Sequence, residues 1–253
     1  MNISINCPSH KRPKVKTLDY LPFCKVWVSE DELPEYKKQN EGATFGILKR
    51  QGNVSIARNE ILQAEFDAGA DVVCIIDDDI KGIYHFEKSP YNNFGYEKKK
   101  VEAAEFEEFI YNGSIMAQDI GAYLWGVNLN KDNLSYRHSR PFSTTGIILG
   151  PFSCHIRGSE CRYDERIPLK EDYDMALQHL NRYRKILRFN KYHYDCKQSA
   201  QAGGCAVIRN YQAERQQFDL LRKKWGDKIV REDKNSKKAF DYNPIIRVPI
   251  CGL

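Results

Sequence analysis

The sequence lacks any apolar stretch long enough to span a membrane. A spanning helix needs about 20 consecutive, mostly apolar residues. The longest apolar runs among the 253 residues, Val72–Ile76 and Thr145–Leu149, are only as long as a strand. The first residues, Met1–Cys7, are themselves predicted to form a strand, without the basic and then apolar segments of a secretory leader. These absences predict no membrane association and a cytoplasmic location.

The sequence also lacks the paired cysteines of a structural zinc site. Its eight cysteines include no Cys-x-x-Cys pair, a spacing that zinc-binding motifs commonly use. Cys7 and Cys74 lie inside apolar segments, where a free thiol behaves as a small apolar side chain. We therefore expect reduced, mostly buried cysteines.

A strong excess of one charge is missing as well. The net charge is +5, with 42% hydrophobic and 29% charged residues, which is ordinary for a globular protein. Basic residues are nevertheless clustered at Lys98–Lys100, Arg182–Lys191 and Arg222–Lys238. Such clusters can attract a polyanion such as DNA, and they can equally be solvated surface.

Helices and strands are predicted to alternate along the chain. The best-defined helix is Asn53–Ala68, which has apolar residues at three- and four-residue steps, a capping residue in Asn53 or Ser55, and Gly69 at its end. Further helices are predicted over Val101–Ala117, Lys170–Arg184 and Tyr211–Trp225. Strands are predicted over Asn2–Cys7, Lys25–Ser29, Phe45–Leu48, Asp71–Ile76, Gly121–Leu129 and Thr144–Leu149. The polar segments 87–101 and 130–142 are predicted to be loops.

This alternation predicts an α/β fold with a mostly parallel, Rossmann-like central sheet flanked by helices. Residues 1–253 are expected to form one domain, with a basic C-terminal extension from about residue 211. Ligands of such sheets bind beyond the carboxyl ends of the strands. Two polar segments lie at such ends: Pro8–Pro13 after the first strand, and Asp77–Asp79 after the apolar run that ends at Ile76.

The acidic triplet Asp77–Asp79 is the sharpest feature of the sequence. Three carboxylates at the end of a buried strand repel one another unless a cation is present, and oxygen ligands of this kind suit Mg²⁺ or Mn²⁺. A solvated acidic turn is the plain alternative. Arg58 on the preceding helix favours the metal, because a cationic side chain and a metal together suit a diphosphate ligand.

A second acidic group, Glu171-Asp172-Tyr173-Asp174, begins a predicted helix. Carboxylates are favoured there by the helix dipole, so a capping role is a serious alternative. Together with the upstream acids, however, one of these carboxylates could act as the general base for an acceptor hydroxyl.

A third segment contains His193 and the downstream run Gln201-Ala202-Gly203-Gly204. His193 could bind a metal or a phosphate, although a lone histidine is more often structural. The two glycines would permit a close backbone approach to a ligand, and a tight turn requires the same residues.

The order of these segments resembles that of the GT-A glycosyltransferases of the family-2 type. The resemblance covers residues 1–200 and is carried by Pro8–Arg12, Asn53–Asn59 with Arg58, the Asp77–Asp79 acids and the Glu171-Asp172 pair. It implies a GT-A fold and a metal-dependent, inverting transfer from a UDP-sugar, with Mn²⁺ or Mg²⁺.

The resemblance also implies roles for individual residues. Asp77 and Asp79 would hold the metal, and Asp172 would be the catalytic base. The donor would be bound by Asp77, Asp78 and Arg58, with Ser9 and Arg12 at the nucleobase. His193 would complete the metal or diphosphate contacts.

More narrowly, the segments Pro-Ser-His-Lys-Arg-Pro, Ser-Ile-Ala-Arg-Asn-Glu-Ile-Leu and Lys-Glu-Asp-Tyr-Asp resemble the TET/JBP-associated glycosyltransferases of phages and kinetoplastids. That resemblance implies a hydroxymethylated pyrimidine in DNA as the acceptor, and the host cytoplasm as the location if the chain is phage-encoded. The loop residues Tyr136, Arg137, His138 and Arg140 are then candidates for stacking on a flipped base and for phosphate contacts, or they form an ordinary surface loop.

Two other functions fit the same residues. The first is a glycosyltransferase that acts on a cell-surface polysaccharide or glycolipid. The second is a non-catalytic nucleic-acid-binding protein with structural acids. The oligomeric state cannot be deduced from the sequence.

Overall fold

A computed structural model describes residues 1–50, 52–89, 91, 95–196, 204, 209–233 and 243–250. The strands are β1 (Ile3–Pro8), β2 (Lys25–Ser29), β3 (Phe45–Leu48), β4 (Val72–Ile76), β5 (Ile80–Lys88), β6 (Tyr96–Lys100), β7 (Leu124–Asn128), β8 (Phe142–Ser143), β9 (Phe152–Ile156), β10 (Leu187–Cys196), β11 (Val230–Arg231) and β12 (Ile245–Ile246). The α-helices are α1 (Leu33–Gln39), α2 (Val54–Asp67), α3 (Phe106–Asp119), α4 (Glu171–Tyr183) and α5 (Tyr211–Trp225). Short 3-10 helices occupy Lys16–Asp19 and Ala103–Glu105.

The central sheet has the strand order β3-β2-β1-β4-β9-β7-β10-β5-β6, and β8 pairs with β10 at one side. The four strands β3, β2, β1 and β4 are parallel and form the predicted Rossmann-like half. β9 runs antiparallel to both of its neighbours, β4 and β7. The α/β fold expected from the sequence is confirmed.

Apolar side chains are buried on both faces of the sheet. One core cluster surrounds Phe106, Trp125 and Phe152 next to α3. The other lies under α2 and α4, around Ile61, Ile75 and Met175. β4 is buried along its whole length, as its continuous apolar run predicts, and the acids that follow it are therefore held at a rigid strand end.

The predicted helices are present, although α3 begins at Phe106, five residues later than predicted. Asn53 caps α2 by accepting hydrogen bonds from the amides of Ser55 and Ile56. Within the described residues, no helix is both long and apolar enough to cross a membrane. Two predictions are wrong. Thr144–Leu149 is an irregular segment and not a strand, and the segment 87–101 is not all loop, because its described residues 87, 88 and 96–100 belong to the paired strands β5 and β6.

Candidate active site

The acidic turn at the end of β4 is fixed by backbone contacts. The amide of Asp77 donates to the carbonyl of Pro151, 3.0 Å away. The Thr17 hydroxyl donates to the carbonyl of Asp77 at 2.5 Å, and the Thr17 amide donates to that of Asp78 at 3.2 Å. The segment after β1 and the residue before β9 thus fix the backbone of the turn, and its side chains make separate contacts.

Asp78 faces the loop that follows β1. Its carboxylate accepts hydrogen bonds from Ser9 Oγ at 2.6 Å and from Arg12 Nη1 at 2.7 Å. The hydroxyl of Tyr36 lies 2.8 Å from Ser9 Oγ and accepts from the Arg12 amide at 3.0 Å. Burial would lower the pKa of Arg12, but the charge and hydrogen bond of Asp78, together with the charges of Asp79 and Asp77, raise it. Ser9, Arg12 and Asp78, assigned to the donor from the sequence, therefore form one cluster.

Arg58 connects the acidic turn to α4. Its side chain is 2% exposed on α2. Nη2 donates to Asp77 Oδ1 at 2.9 Å and to the Gly150 carbonyl at 3.0 Å, and Nη1 donates to Glu171 Oε1 at 3.0 Å. Burial disfavours the charged form of Arg58, but the surrounding acidic groups, of which Asp77 has the largest effect, raise its pKa. The guanidinium stays charged between two predicted site segments.

Asp172 lies beside the same glycine. Its Oδ2 accepts from the Gly150 amide at 2.9 Å, and its Oδ1 accepts from the Tyr173 amide at 2.7 Å. The side chain is partly exposed, so a hydroxyl group can reach it. Neighbouring Glu171 is buried, and burial together with the charge of Asp172 raises its pKa to about 8 against the opposing effect of Arg58.

Asp79 is the acid of the turn without a basic partner. It is 7% exposed, and no described basic residue forms an ion pair with it. Burial, followed by the charges of Asp77 and Asp78, raises its pKa to about 7. A buried carboxylate close to two others is a strong site for a cation.

The metal ligands available here, the carboxylates of Asp77 and Asp79, therefore fit Mg²⁺ or Mn²⁺. In the described part of the chain, three or more potential ligands do not come together. Mg²⁺ sites commonly use one or two carboxylates and take their other ligands from phosphate and water, so two acids are enough for a phosphate-bound metal.

The structure separates His193 from the acids. Its strand partner is Tyr84, whereas Ile80, the residue after Asp79, pairs with Cys196. Four residues along a strand correspond to roughly 13 Å. The ring is 1% exposed and packs against Tyr84 and Phe86, with centroids 5.6 and 4.9 Å away. The structure therefore places His193 in an aromatic cluster and does not bring it next to the acidic turn, and its assignment to the metal or diphosphate stays a prediction.

In the loop of Tyr136, Arg137, His138 and Arg140, the three basic residues are exposed but Tyr136 is buried. Tyr136 is 7% exposed, stacks on Phe86 with ring centroids 5.1 Å apart, and meets Tyr96 edge-on at 4.9 Å. Its ring is occupied and cannot also stack on a flipped base.

Of the two glycines downstream, Gly203 lies outside the described residues. The Gly204 amide donates to the His10 carbonyl at 3.0 Å, and its φ is +54°. A Cβ at this position would lie 3.3 Å from Arg12 Nη2. Gly204 therefore permits a close approach to the loop that holds Ser9 and Arg12.

Sequence reasoning missed three residues of the site. Gly150 binds both Arg58 and Asp172, and the only signal for it was a Gly-Pro pair at the end of an apolar run. Tyr36 and Thr17 carried no signal, because each acts through one hydroxyl that tertiary folding brings to the turn.

No protein-family model matches the sequence, and no curated protein matches it. Among solved structures, glucosyl-3-phosphoglycerate synthase from Mycobacterium tuberculosis is similar in fold. Its complex with Mn²⁺, UDP and glucosyl-3-phosphoglycerate aligns with a TM-score of 0.53 and 12% identity, over 97% of this chain and 87% of that one. Its complex with Mg²⁺ and UDP gives 0.53 and 13% over the same shares. At this identity the likeness establishes the fold, which is GT-A.

Proposed function

We propose that this chain is a metal-dependent, inverting glycosyltransferase that takes its sugar from a UDP-sugar. The observation that carries the proposal is the link from Asp77 through Arg58 to Glu171, with Asp172 next to it. This link connects the acids suited to a metal with the acid suited to a base, in a fold that is similar to that of a structure holding UDP and Mn²⁺.

The acids and the arginine serve the donor in this proposal. Asp77 and Asp79 would hold Mn²⁺ or Mg²⁺, which when bound neutralises charge on the leaving diphosphate. Burial raises the pKa of Asp77, and Arg58 opposes that effect and adds positive charge beside the carboxylate. Ser9, Arg12 and Asp78 would bind the nucleobase end of the donor, where hydroxyl, guanidinium and carboxylate already lie within hydrogen-bond distance of one another.

Asp172 acts on the acceptor. Its partly exposed carboxylate would accept the proton of an acceptor hydroxyl, because a neutral alcohol is a poor nucleophile. As the hydroxyl oxygen bonds to the anomeric carbon, the bond from that carbon to the UDP oxygen breaks. A single displacement of this kind inverts the anomeric configuration and leaves UDP and a protonated Asp172.

For the acceptor, we infer a hydroxymethyl group on a pyrimidine of DNA. The narrower sequence resemblance and the basic residues support this inference. Several of these residues are already paired, however: Arg182 with Glu160, Lys99 with Glu87, and Lys224 with Asp164 and Asp174. The basic surface open to DNA is therefore smaller than the sequence suggests.

Incubation with a set of nucleotide-sugars and Mn²⁺ tests the donor assignment. Slow release of UDP from one of them without an acceptor is expected, and no release from any would favour a non-catalytic binding protein. Addition of hydroxymethylated DNA, followed by mass spectrometry of the nucleosides, tests the acceptor. Donor hydrolysis without a modified base would point to a polysaccharide or glycolipid acceptor.

A further inference from the structure

Arg188 is a cation in a sheltered position without an acidic partner. It lies on β10 and is partly buried. Its Nε donates to Asn190 Oδ1 at 3.0 Å, and its Nη1 donates to the Ile147 carbonyl at 3.1 Å. Both acceptors are neutral, and no carboxylate of the described residues forms an ion pair with this guanidinium.

Arg58 differs from Arg188 in that it has acidic partners. Arg58 is also removed from water, but Asp77 and Glu171 compensate its charge. At Arg188, burial is the only influence on the pKa, which it lowers. A guanidinium remains charged in proteins, and a sheltered charge is costly unless an anion compensates it. The position therefore has the properties of an anion site.

The turn that contains Gly146 lies against the guanidinium of Arg188. A Cβ on Gly146 would lie 2.7 Å from the guanidinium carbon, so a side chain at this position would displace the end of Arg188. Ser143 Oγ accepts hydrogen bonds from the amides of Thr145 and Gly146, at 3.3 and 2.9 Å, which fixes this turn beside the arginine.

One short segment joins Arg188 to the catalytic acid. Arg188 binds the carbonyl of Ile147, and three residues later Arg58 binds the carbonyl and Asp172 the amide of Gly150. Three residues span at most about 11 Å. An anion on Arg188 would therefore lie within the length of a small acceptor from Asp172.

We propose that Arg188 binds a phosphate group of the acceptor and so positions the acceptor hydroxyl at Asp172. The proposal deepens the proposed function and rests on it for the role of Asp172 as the base. Phosphate is the chemical class because a guanidinium presents parallel N–H groups that match two phosphate oxygens. The phosphate could belong to the DNA backbone or to a small phosphorylated alcohol.

Binding is measured first, without donor or metal, by calorimetry with 5-hydroxymethyl-deoxycytidine 5′-monophosphate, a hydroxymethylated oligonucleotide and 3-phosphoglycerate. The unphosphorylated nucleoside is the matched ligand control. Arg188→Gln keeps a polar side chain but removes the charge, and Arg182→Gln is the control variant, because Arg182 is paired with Glu160 on the surface. Melting temperatures verify that both variants are folded.

We expect Arg188→Gln to lower the affinity for at least one phosphorylated ligand about tenfold or more, with binding of the nucleoside and the effect of Arg182→Gln both unchanged. The phosphorylated ligand that responds identifies the source. Equal affinities in wild type and Arg188→Gln, or no binding of any phosphorylated ligand, would overturn the proposal. Failure of UDP to bind in a separate titration would count against the proposed function instead.

Discussion

At the scale of single residues, three consecutive acids have three different environments. Asp77 is paired with Arg58, Asp78 is bound by Ser9 and Arg12, and Asp79 has no described basic partner. Their order in the sequence predicts a cation site, but it does not say which acid still needs the cation. We expect that need to be greatest at Asp79, because Asp77 and Asp78 each have an arginine partner and Asp79 has none among the described residues.

The raised pKa of Asp79, about 7, predicts a pH dependence of metal binding. Below pH 7 the carboxyl group carries a proton that the metal must displace, so the affinity for Mn²⁺ with UDP should fall as the pH falls from about 7 to about 5.5. Calorimetry in two buffers of different ionisation enthalpy should detect proton release on binding at pH 6. Asp79→Asn should remove that release. A wild-type affinity that does not change over this range would show that the acid is already ionised.

Asp172→Asn separates a catalytic role from a structural one. Asp172 is the second residue of α4, whose N-cap is Lys170, and asparagine can still accept from the Gly150 amide, so the melting temperature and the UDP affinity should be kept. Without the proton acceptor, kcat should fall by about 10²-fold or more on a hydroxylated acceptor.

The neighbouring acids are the controls for this prediction. Asp174 is fully buried and binds Lys224 and Trp225, so Asp174→Asn should lower the stability of the protein and leave the kcat of the folded molecules largely unchanged. Any effect of Glu171→Gln on kcat should arise through Arg58, which Glu171 binds. Near-normal turnover of Asp172→Asn would refute its role as the base.

At the scale of elements, α5 is attached to the N-terminus of α4 by buried charges. Lys170, directly before α4, pairs with Glu214 of α5, and the two side chains are 2% and 1% exposed. Glu214 also pairs with Arg209 at 3.0 Å. A second contact joins Asp174 of α4 to Lys224 of α5. Since Glu171 and Asp172 follow Lys170, α5 supports the part of α4 that carries the two acids proposed for the site.

Glu214→Ala should therefore destabilise the protein by about 3–5 kcal/mol, because it leaves the Lys170 ammonium buried without a partner. The double variant Lys170→Met with Glu214→Leu should recover most of that loss, since no buried ammonium remains. Urea unfolding of the three proteins measures both effects. A loss below about 1 kcal/mol in Glu214→Ala would mean that water reaches the pair.

Elements with one dominant pattern could be predicted from the sequence. The apolar run of β4 and the capped helix α2 are found within one residue of their predicted bounds. β6 could not be predicted because it is an exposed edge strand of charged residues. Its Lys and Glu residues show no alternation of apolar and polar side chains that would indicate the pairing with β5. β9 was missed because its buried polar residues Ser153 and His155 break the apolar pattern, and they are satisfied by hydrogen bonds with each other and with Tyr163.

At the scale of the whole molecule, the sheet order explains how the site is assembled. β1 and β4 are parallel neighbours, so the loop after β1 and the acids after β4 meet at one edge, as the sequence predicted. Asp172 is brought there by Gly150, which lies two residues before β9. That contact depends on the antiparallel insertion of β9 next to β4, which no local pattern indicates.

If the acceptor is DNA, the affinity of the protein for duplex DNA should depend on the salt concentration. If two or more phosphates are contacted, binding should weaken about tenfold or more between ~50 and ~200 mM salt. Fluorescence anisotropy with a labelled duplex measures this. An affinity that does not depend on salt, or no binding at low salt, would favour the polysaccharide or glycolipid acceptor.

The most direct test of the central claim is a calorimetric titration of UDP with Mn²⁺ into wild type and Asp79→Asn. Asparagine has the size of aspartate but lacks the charge that the cation needs, so the fold should be kept. We expect wild type to bind UDP only when the metal is present, and Asp79→Asn to weaken this binding about tenfold or more and to abolish sugar transfer. Equal affinities in the two proteins would contradict the metal-dependent donor site.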